Sequence, residues 1–437
     1  MTTTAPHSAV TSAPVCTPTV GTTSSCTGIE KTINGICTTS YSCTPVKTTG
    51  GCDATATKGY LSTMSVPSST HVPSTKPWTM STAVRSTSKA DWTRAASTSN
   101  VASATSATSA YSTFVARNWP ADKLDTLRDN SISKLESYLA AHPAEGSCTL
   151  ENATVRKEYG DLTDAERAEY INAVLCLQSL PAKSGKTYPG AKTRYDDFVA
   201  LHIDLTPDVH NTANFLTWHR YFTWSYEQAL KNECGYTGAQ PYWNWNRYAS
   251  SPSKSPIFNG NATSMSAGPN NECVTEGPFV DMKVNLGPGS STAYNPRCLK
   301  RNISTYWSKF TTIDYTYPLV TEQNTITGFQ NTMQVASQVH AGGHFTFGGD
   351  PGGDIYASPG DPVFFIHHSG IDRLYWLWQL QDLPTRLTAV GGSVAGSSAT
   401  GALTDVLDMG VVNEDRTIGD MMNTMGGNKG AFCYIYT

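Results

Sequence analysis

The chain has 437 residues, 31 Lys plus Arg against 35 Asp plus Glu, a formal net charge of −4, and only 15% charged residues. That balance excludes a basic nucleic-acid binder, which needs a surplus of cations to neutralise phosphates. No run of about 18 apolar residues exists, which excludes a transmembrane helix and any membrane partner of that kind.

Residues 1–115 form one compositional block. The first 110 residues contain 46 Ser or Thr, and their sparse apolar residues follow neither a helical nor a strand period. Such a segment buries too little surface to offset its ordering entropy, so it is expected to be largely disordered. Five cysteines between 16 and 52 could form a small knot, with one left over. Met1 is followed by TTTAPHSAV, without the basic start and apolar core of a signal peptide.

From about residue 116 the composition becomes globular. A helix is expected from Ala121, on the apolar spacing of Leu124, Leu127, Ile132, Leu135 and Leu139, ending near His142-Pro143. Thr163 and Glu166 form a capping box ahead of a second helix carrying Tyr170, Ile171, Val174 and Leu177. Residues 183–195 read as loop. Phe215–Leu230 reads as an aromatic helix, 250–325 as a long irregular insertion rich in Gly, Pro, Ser and Asn, 330–339 as helical, and 372–381 as a last aromatic helix. The expected class is mainly α, with long irregular loops and few strands.

Seven of the ten histidines lie between 202 and 368. His202, His210 and His219 make one group. His340 and His344, one helical turn apart, make a second with the His367-His368 pair. Residues at i and i+4 share a helix face, so two imidazoles can converge on one ion. Alone, the His340/His344 pair reads equally as core histidines, and zinc would suit it as well as copper. Two three-histidine groups of the same make-up, without carboxylate or thiolate, favour copper. Asn152, Asn261 and Asn302 begin glycosylation sequons. With the scattered cysteines they point to a secreted, extracellular protein.

FLTWHR at 215–220, PYWNW at 241–245, HAGGH at 340–344 and DPVFFIHHSGIDRLYW at 361–376 resemble the type-3 copper proteins: tyrosinases, catechol oxidases and molluscan hemocyanins. The likeness runs from about Asn118 to near Asp382 and is closest to short fungal catechol oxidases. It implies a four-helix bundle around two coppers in a catalytic domain spanning 116–437. One copper would sit on His202, His210 and His219, the other on His340, His344 and His368. His367 would orient its neighbours, and Asp372 and Arg373 would brace the helices. The resemblance places Ile355, Ala341, Phe345 and Gln334 around the substrate pocket. The implied activity is oxidation of o-diphenols, and of o-aminophenols, to quinones with reduction of the co-substrate O2 to water. Two alternatives share the metal site: a tyrosinase that also hydroxylates monophenols, and a hemocyanin-like O2 carrier. Partners are small phenols, and the expected state is a monomer or weak dimer.

Four departures from the family pattern bear on this. Asn244 stands where PYWDW has Asp. Residues 203–209 contain no cysteine for the thioether that relatives attach to the middle histidine of the first site. Ala341 stands where monophenol-hydroxylating relatives often have Asn, and Gln334 where they tend to carry a water-holding Glu. Only 55 residues follow Asp382, too few for the C-terminal shielding domain of latent relatives.

Overall fold

The computed structural model describes residues 24–33, 36–45, 117, 119–143 and 146–437. The chain divides into two units, Met1–Asn100 and Val101–Thr437. In the first, strands Ser24–Ile33 and Ile36–Pro45 pair antiparallel, with Cys26 opposite Cys43. This ladder falls inside the cysteine-rich 16–52 stretch. The remainder of the Ser/Thr-rich segment, and with it the expected disorder, lies outside the described residues.

The second unit is mainly α, as expected. Its helices are α1 Lys123–Ala141, α2 Asp164–Ser179, α3 Arg194–Val209, α4 Phe215–Cys234, α5 Thr305–Ser308, α6 Ile313–Glu322, α7 Ile326–Gln334, α8 Val339–Phe347, α9 Val363–Gln381 and α10 Leu383–Arg386. Three begin with reciprocal capping boxes. Asp122 pairs with Asp125 at α1 and Thr163 with Glu166 at α2. At α3, Thr193 accepts from the Asp196 N–H while the Asp196 carboxylate takes the Thr193 N–H. α4 ends on Gly235 in the left-handed region, φ 69°, where the lack of a Cβ removes the steric cost.

Four expectations need correction. The stretch 330–339, expected as helical, is broken: α7 ends at Gln334 and α8 starts at Val339. The α3 start lies in the stretch expected as loop, because its box closes with Asp rather than Glu or Gln. The stretch 250–325 is not wholly irregular: α5 and α6 lie in it. Pro318 obscures α6 in the sequence, yet Leu319 and Val320 are fully buried there, and that packing outweighs the lost backbone donor. Finally, α9 starts at Val363 rather than near 372, so the His367-His368 pair sits within the helix. Every residue from Val363 to Leu380 is buried. A helix covered all round has no amphipathic period to betray it.

α4 packs against α9, α2 and α3, while α8 and α6 also pack on α9. Short two-stranded ladders tie the loops down. One runs parallel between Thr154–Arg156 and Tyr434–Tyr436. All six cysteines of this unit are in disulfides: Cys148–Cys433, Cys176–Cys234 and Cys273–Cys298. The first joins residues 285 apart in sequence.

The helices are locked by one buried carboxylate. Asp372 on α9 accepts from Arg220 of α4 at 2.5 Å, from Tyr434 and Tyr436 at 2.9 and 2.6 Å, and from Arg156 at 3.4 Å. Arg156 also pairs with Glu227 of α4 at 2.5 Å. Beside it, Arg373 donates to Asp125 of α1 and to the Thr437 carbonyl, at 2.6 and 2.9 Å. All these groups are buried. Removing one member strands charges in low dielectric. Asp372→Ala should therefore lower the unfolding free energy by about 3–5 kcal/mol, read from urea denaturation. A loss below about 1 kcal/mol, the worth of an exposed pair, would show that Arg156 and Arg220 find other partners.

Candidate metal centre

The two histidine groups converge. His202 projects from α3, His210 sits at its C-terminal cap and His219 is on α4. One ring nitrogen from each lies within 4.8 Å of the others. The same holds for His340 and His344 of α8 with His367 and His368 of α9. The groups abut: the His219 and His368 rings stack at 4.5 Å, 13° from parallel.

Ring orientation follows from backbone acceptors. His202 Nδ1 lies 2.8 Å from the Tyr356 carbonyl, His210 Nδ1 2.9 Å from that of Thr206, and His219 Nδ1 2.8 Å from that of Phe215. A carbonyl only accepts, so each Nδ1 carries the proton and each Nε2 keeps a lone pair. The Nε2 atoms of His202, His219 and His340 are buried without any hydrogen-bond partner, and those of His344 and His368 face each other at 3.2 Å. Buried lone pairs aimed at common points, with nothing to donate to them, fit metal ions. The donors are all imidazole nitrogen, which suits copper.

Burial also sets the charge state. It pushes His210 down to about 4 and His344 to about 3, and holds His202, His219, His340, His367 and His368 well below the ordinary histidine range. All seven are therefore neutral at pH 7, the form that coordinates metal.

His367 differs from its neighbour. The Trp245 indole N–H donates to His367 Nδ1 at 3.1 Å, which occupies that lone pair and places the ring proton on Nε2. In the neutral ring that proton on His367 Nε2 is buried without an acceptor, whereas His368 presents Nε2 toward His344. Two glycines make room for this link. A Cβ on Gly343 would overlap the His367 ring, and one on Gly370 would overlap the Trp245 indole. Sequence reasoning does not single out Trp245, Gly343 or Gly370, although PYWNW and HAGGH contain the first two. Phe364 reads in the sequence as ordinary core, yet its ring lies 4.1 Å from that of His368.

Ala341, Phe345, Ile355 and Gln334 line one cavity of about 320 Å³, together with His210, His340 and His344. Ile355 is half exposed at its edge. Asp372 and Arg373 lie in the bracing network, not in the cavity. With all six cysteines of 117–437 in disulfides, none among the described residues of that span remains to attach to His210. Asn244 also has a local reason. Its amide donates to Asp122 Oδ2 at 3.0 Å, where an aspartate would set two carboxylates together. Asn152, Asn261 and Asn302 are all exposed.

Residues 192–381 match the model of the common central domain of tyrosinase. An N-acetyl-6-hydroxytryptophan oxidase of Emericella nidulans is 36% identical over 350 residues, 66% of this chain and 93% of that protein. Tyrosinase P of Aspergillus terreus is 33% identical over 332 residues, 65% of this chain and 92% of that one. Among solved structures, a mutant polyphenol oxidase from Thermothelomyces thermophila aligns with a TM-score of 0.65 at 35% identity. That alignment covers 72% of this chain and 96% of the other.

Two outcomes follow from the geometry. His368→Ala should remove one metal ion per chain, while His367→Ala should keep both and bind one of them about 10–100-fold more weakly. Metal analysis after challenge with a graded chelator measures this, and equal loss in both variants would reverse the roles. The second concerns the metal-free protein. Its histidines stay neutral when folded but take up protons near 6.5 when unfolded, so acid favours the unfolded chain. Stability should fall between about pH 6.5 and 4, by on the order of 3 kcal/mol at pH 4 from His210 alone. A flat urea midpoint across that range would contradict the buried, neutral state.

Proposed function

We propose that this chain, which belongs to the tyrosinase family of type-3 copper proteins, is a secreted oxidase of o-diphenols and o-aminophenols. One copper would be held by His202, His210 and His219 and the other by His340, His344 and His368, within a frame of α3, α4, α8 and α9. Bound copper would supply the redox chemistry, taking electrons from the phenol and passing them to the co-substrate O2. Per O2, two catechols each lose two electrons and two protons, giving two o-quinones and two waters.

The chain's own residues do the rest. The Tyr356, Thr206 and Phe215 carbonyls hold the imidazole protons on Nδ1, so Nε2 faces inward. A cavity of about 320 Å³ beside His210, His340 and His344 suits a single substituted ring. Phe345 and the methyls of Ile355 and Ala341 offer it apolar walls.

The observation that carries the diphenol reading is that, apart from the three histidines, the two polar side chains of that wall are already engaged by other groups of the chain. Gln334 accepts from the Asn211 N–H at 2.8 Å and donates to the Gln330 carbonyl at 3.2 Å. The Asp354 carboxylate accepts from the backbone N–H groups of Gly289, Tyr356 and Ala357. A monophenol must lose its proton before its oxygen can bind a metal, and a general base must lie within reach to assist. A second reading, oxidation of a hydroxylated indole, is favoured by the relative named as an N-acetyl-6-hydroxytryptophan oxidase. The secretory location is supported by the three disulfides and by exposed sequons at Asn152, Asn261 and Asn302.

Oxygen uptake on matched mono-, di- and aminophenols tests the reading. Catechol turnover should exceed that of the matched monophenol at least tenfold, about 1.4 kcal/mol in barrier. Ala341→Asn combined with Gln334→Glu should narrow the ratio. Equal rates in the wild type would overturn the diphenol preference, and O2 binding without turnover of any phenol would overturn the enzyme.

A further inference from the structure

His210 is anchored differently from its two partners in the first histidine group. His202 and His219 ride within helices, where the neighbouring turns fix their backbone. His210 is the C-terminal cap of α3, with an extended backbone at φ −120° and ψ 140°. Its ring turns back onto the Thr206 carbonyl. The next residue, Asn211, is left-handed at φ 55° although it is not glycine, a conformation that surrounding contacts must hold in place. Among the described residues of this unit, no cysteine is available to tether the ring covalently.

One side chain reaches the backbone at this point. Gln334, the last residue of α7, accepts the Asn211 N–H at 2.8 Å through its side-chain carbonyl, across 123 residues of chain. Its amide nitrogen is spent on the Gln330 carbonyl of its own helix, which fixes the rotamer. Gln330 is itself buried and donates to the Gly391 carbonyl at 2.7 Å. Further along the turn, Thr212 donates to the Asp208 carbonyl at 2.9 Å, and the Ala213 N–H to the Ser393 carbonyl at 2.8 Å. Those bonds hold the turn where it enters α4. Gln334 grips it at the peptide directly after His210.

We propose that Gln334 is a positioning residue for the first metal site. Its side-chain carbonyl clamps the left-handed turn at Asn211, and so sets the depth and direction of His210 Nε2. α7 also packs against α8, which carries His340 and His344. The clamp therefore holds the exposed corner of one histidine group to the element that leads into the other. The clamp itself is the acceptor oxygen, so glutamate keeps it in part, without the bond to Gln330, while an apolar side chain of equal length loses it. This rests on the copper reading given above.

The test compares wild type with Gln334→Met, which keeps length and loses the acceptor, and Gln334→Glu, which keeps an acceptor. Two quantities are read: release of each copper to a Cu(I) chelator, and hydrogen exchange at the Asn211 amide in the metal-free chain. Gln334→Met should lose one copper on the order of tenfold faster, leave release of the other unchanged, and lose protection at Asn211. Gln334→Glu keeps the acceptor for Asn211 but loses the donor to the Gln330 carbonyl, so it should fall between the two, with more protection at Asn211 and slower copper release than Gln334→Met. Wild-type release and protection in Gln334→Met would overturn the clamp. Faster release of both coppers together with a lowered unfolding midpoint would also overturn it, since that is general destabilisation. A wild type that binds no copper would sink the copper reading and the proposed role with it. Asn211 protection would then still show whether the hydrogen bond exists.

Discussion

Seven imidazoles lie among four helices, six of them buried and His344 partly so on the cavity wall, and each neutral ring carries one N–H and one lone pair. Burial forbids their protonation, so every ring is neutral and every N–H competes for an acceptor. Much of the surrounding architecture answers that constraint. The carbonyls of Phe215 and Thr206 lie one turn back from His219 and His210, while that of Tyr356 comes from a loop 154 residues beyond His202. With the N–H groups of His202, His210 and His219 satisfied in this way, their remaining lone pairs face inward and repel one another. A cation between them relieves that repulsion.

Such an arrangement needs a stiff frame, because a ligand nitrogen displaced by a fraction of an ångström loses its ion. The frame is polar as well as apolar. Asp372 joins α9 to α4 and to both strands of the parallel ladder, while Arg373 joins it to α1. The α9 turn that carries His367 and His368 is thus held from both sides. Trp245 fixes His367 by its indole N–H, and the bare Cα of Gly343 gives that ring its space. Glycine at 343 is therefore a steric requirement of the site rather than a feature of the helix.

Several elements are readable from sequence because their signals are local. The capping box at Thr163 and the i, i+4 spacing of His340 and His344 depend only on residues within one helical turn. The α3 start at Thr193 follows the same rule with Asp196 in the closing position, and that substitution hides it. α6 and the first half of α9 are hidden for a different reason. Pro318 and the run Val363–Ile366 look unlike surface helix, and only their burial against neighbouring elements makes them helical.

The sequence by itself determined the donor chemistry: seven histidines in two groups, no carboxylate or thiolate among them, and a small set of apolar and amide side chains for the cavity wall. It also carried the family, through ordered motifs. Only the tertiary structure decided which nitrogen of His202, His210 and His219 is free, that the Trp245 N–H occupies His367, how the six cysteines of the helical unit pair, and that Gln334 spends its side-chain carbonyl on the turn after His210. The physical reason is range. Residue type and helical spacing are written within a few positions. The direction of a lone pair is set by a hydrogen-bond partner that can lie far off in sequence, as Gln334 lies 123 residues from Asn211, and only the folded chain brings that partner near.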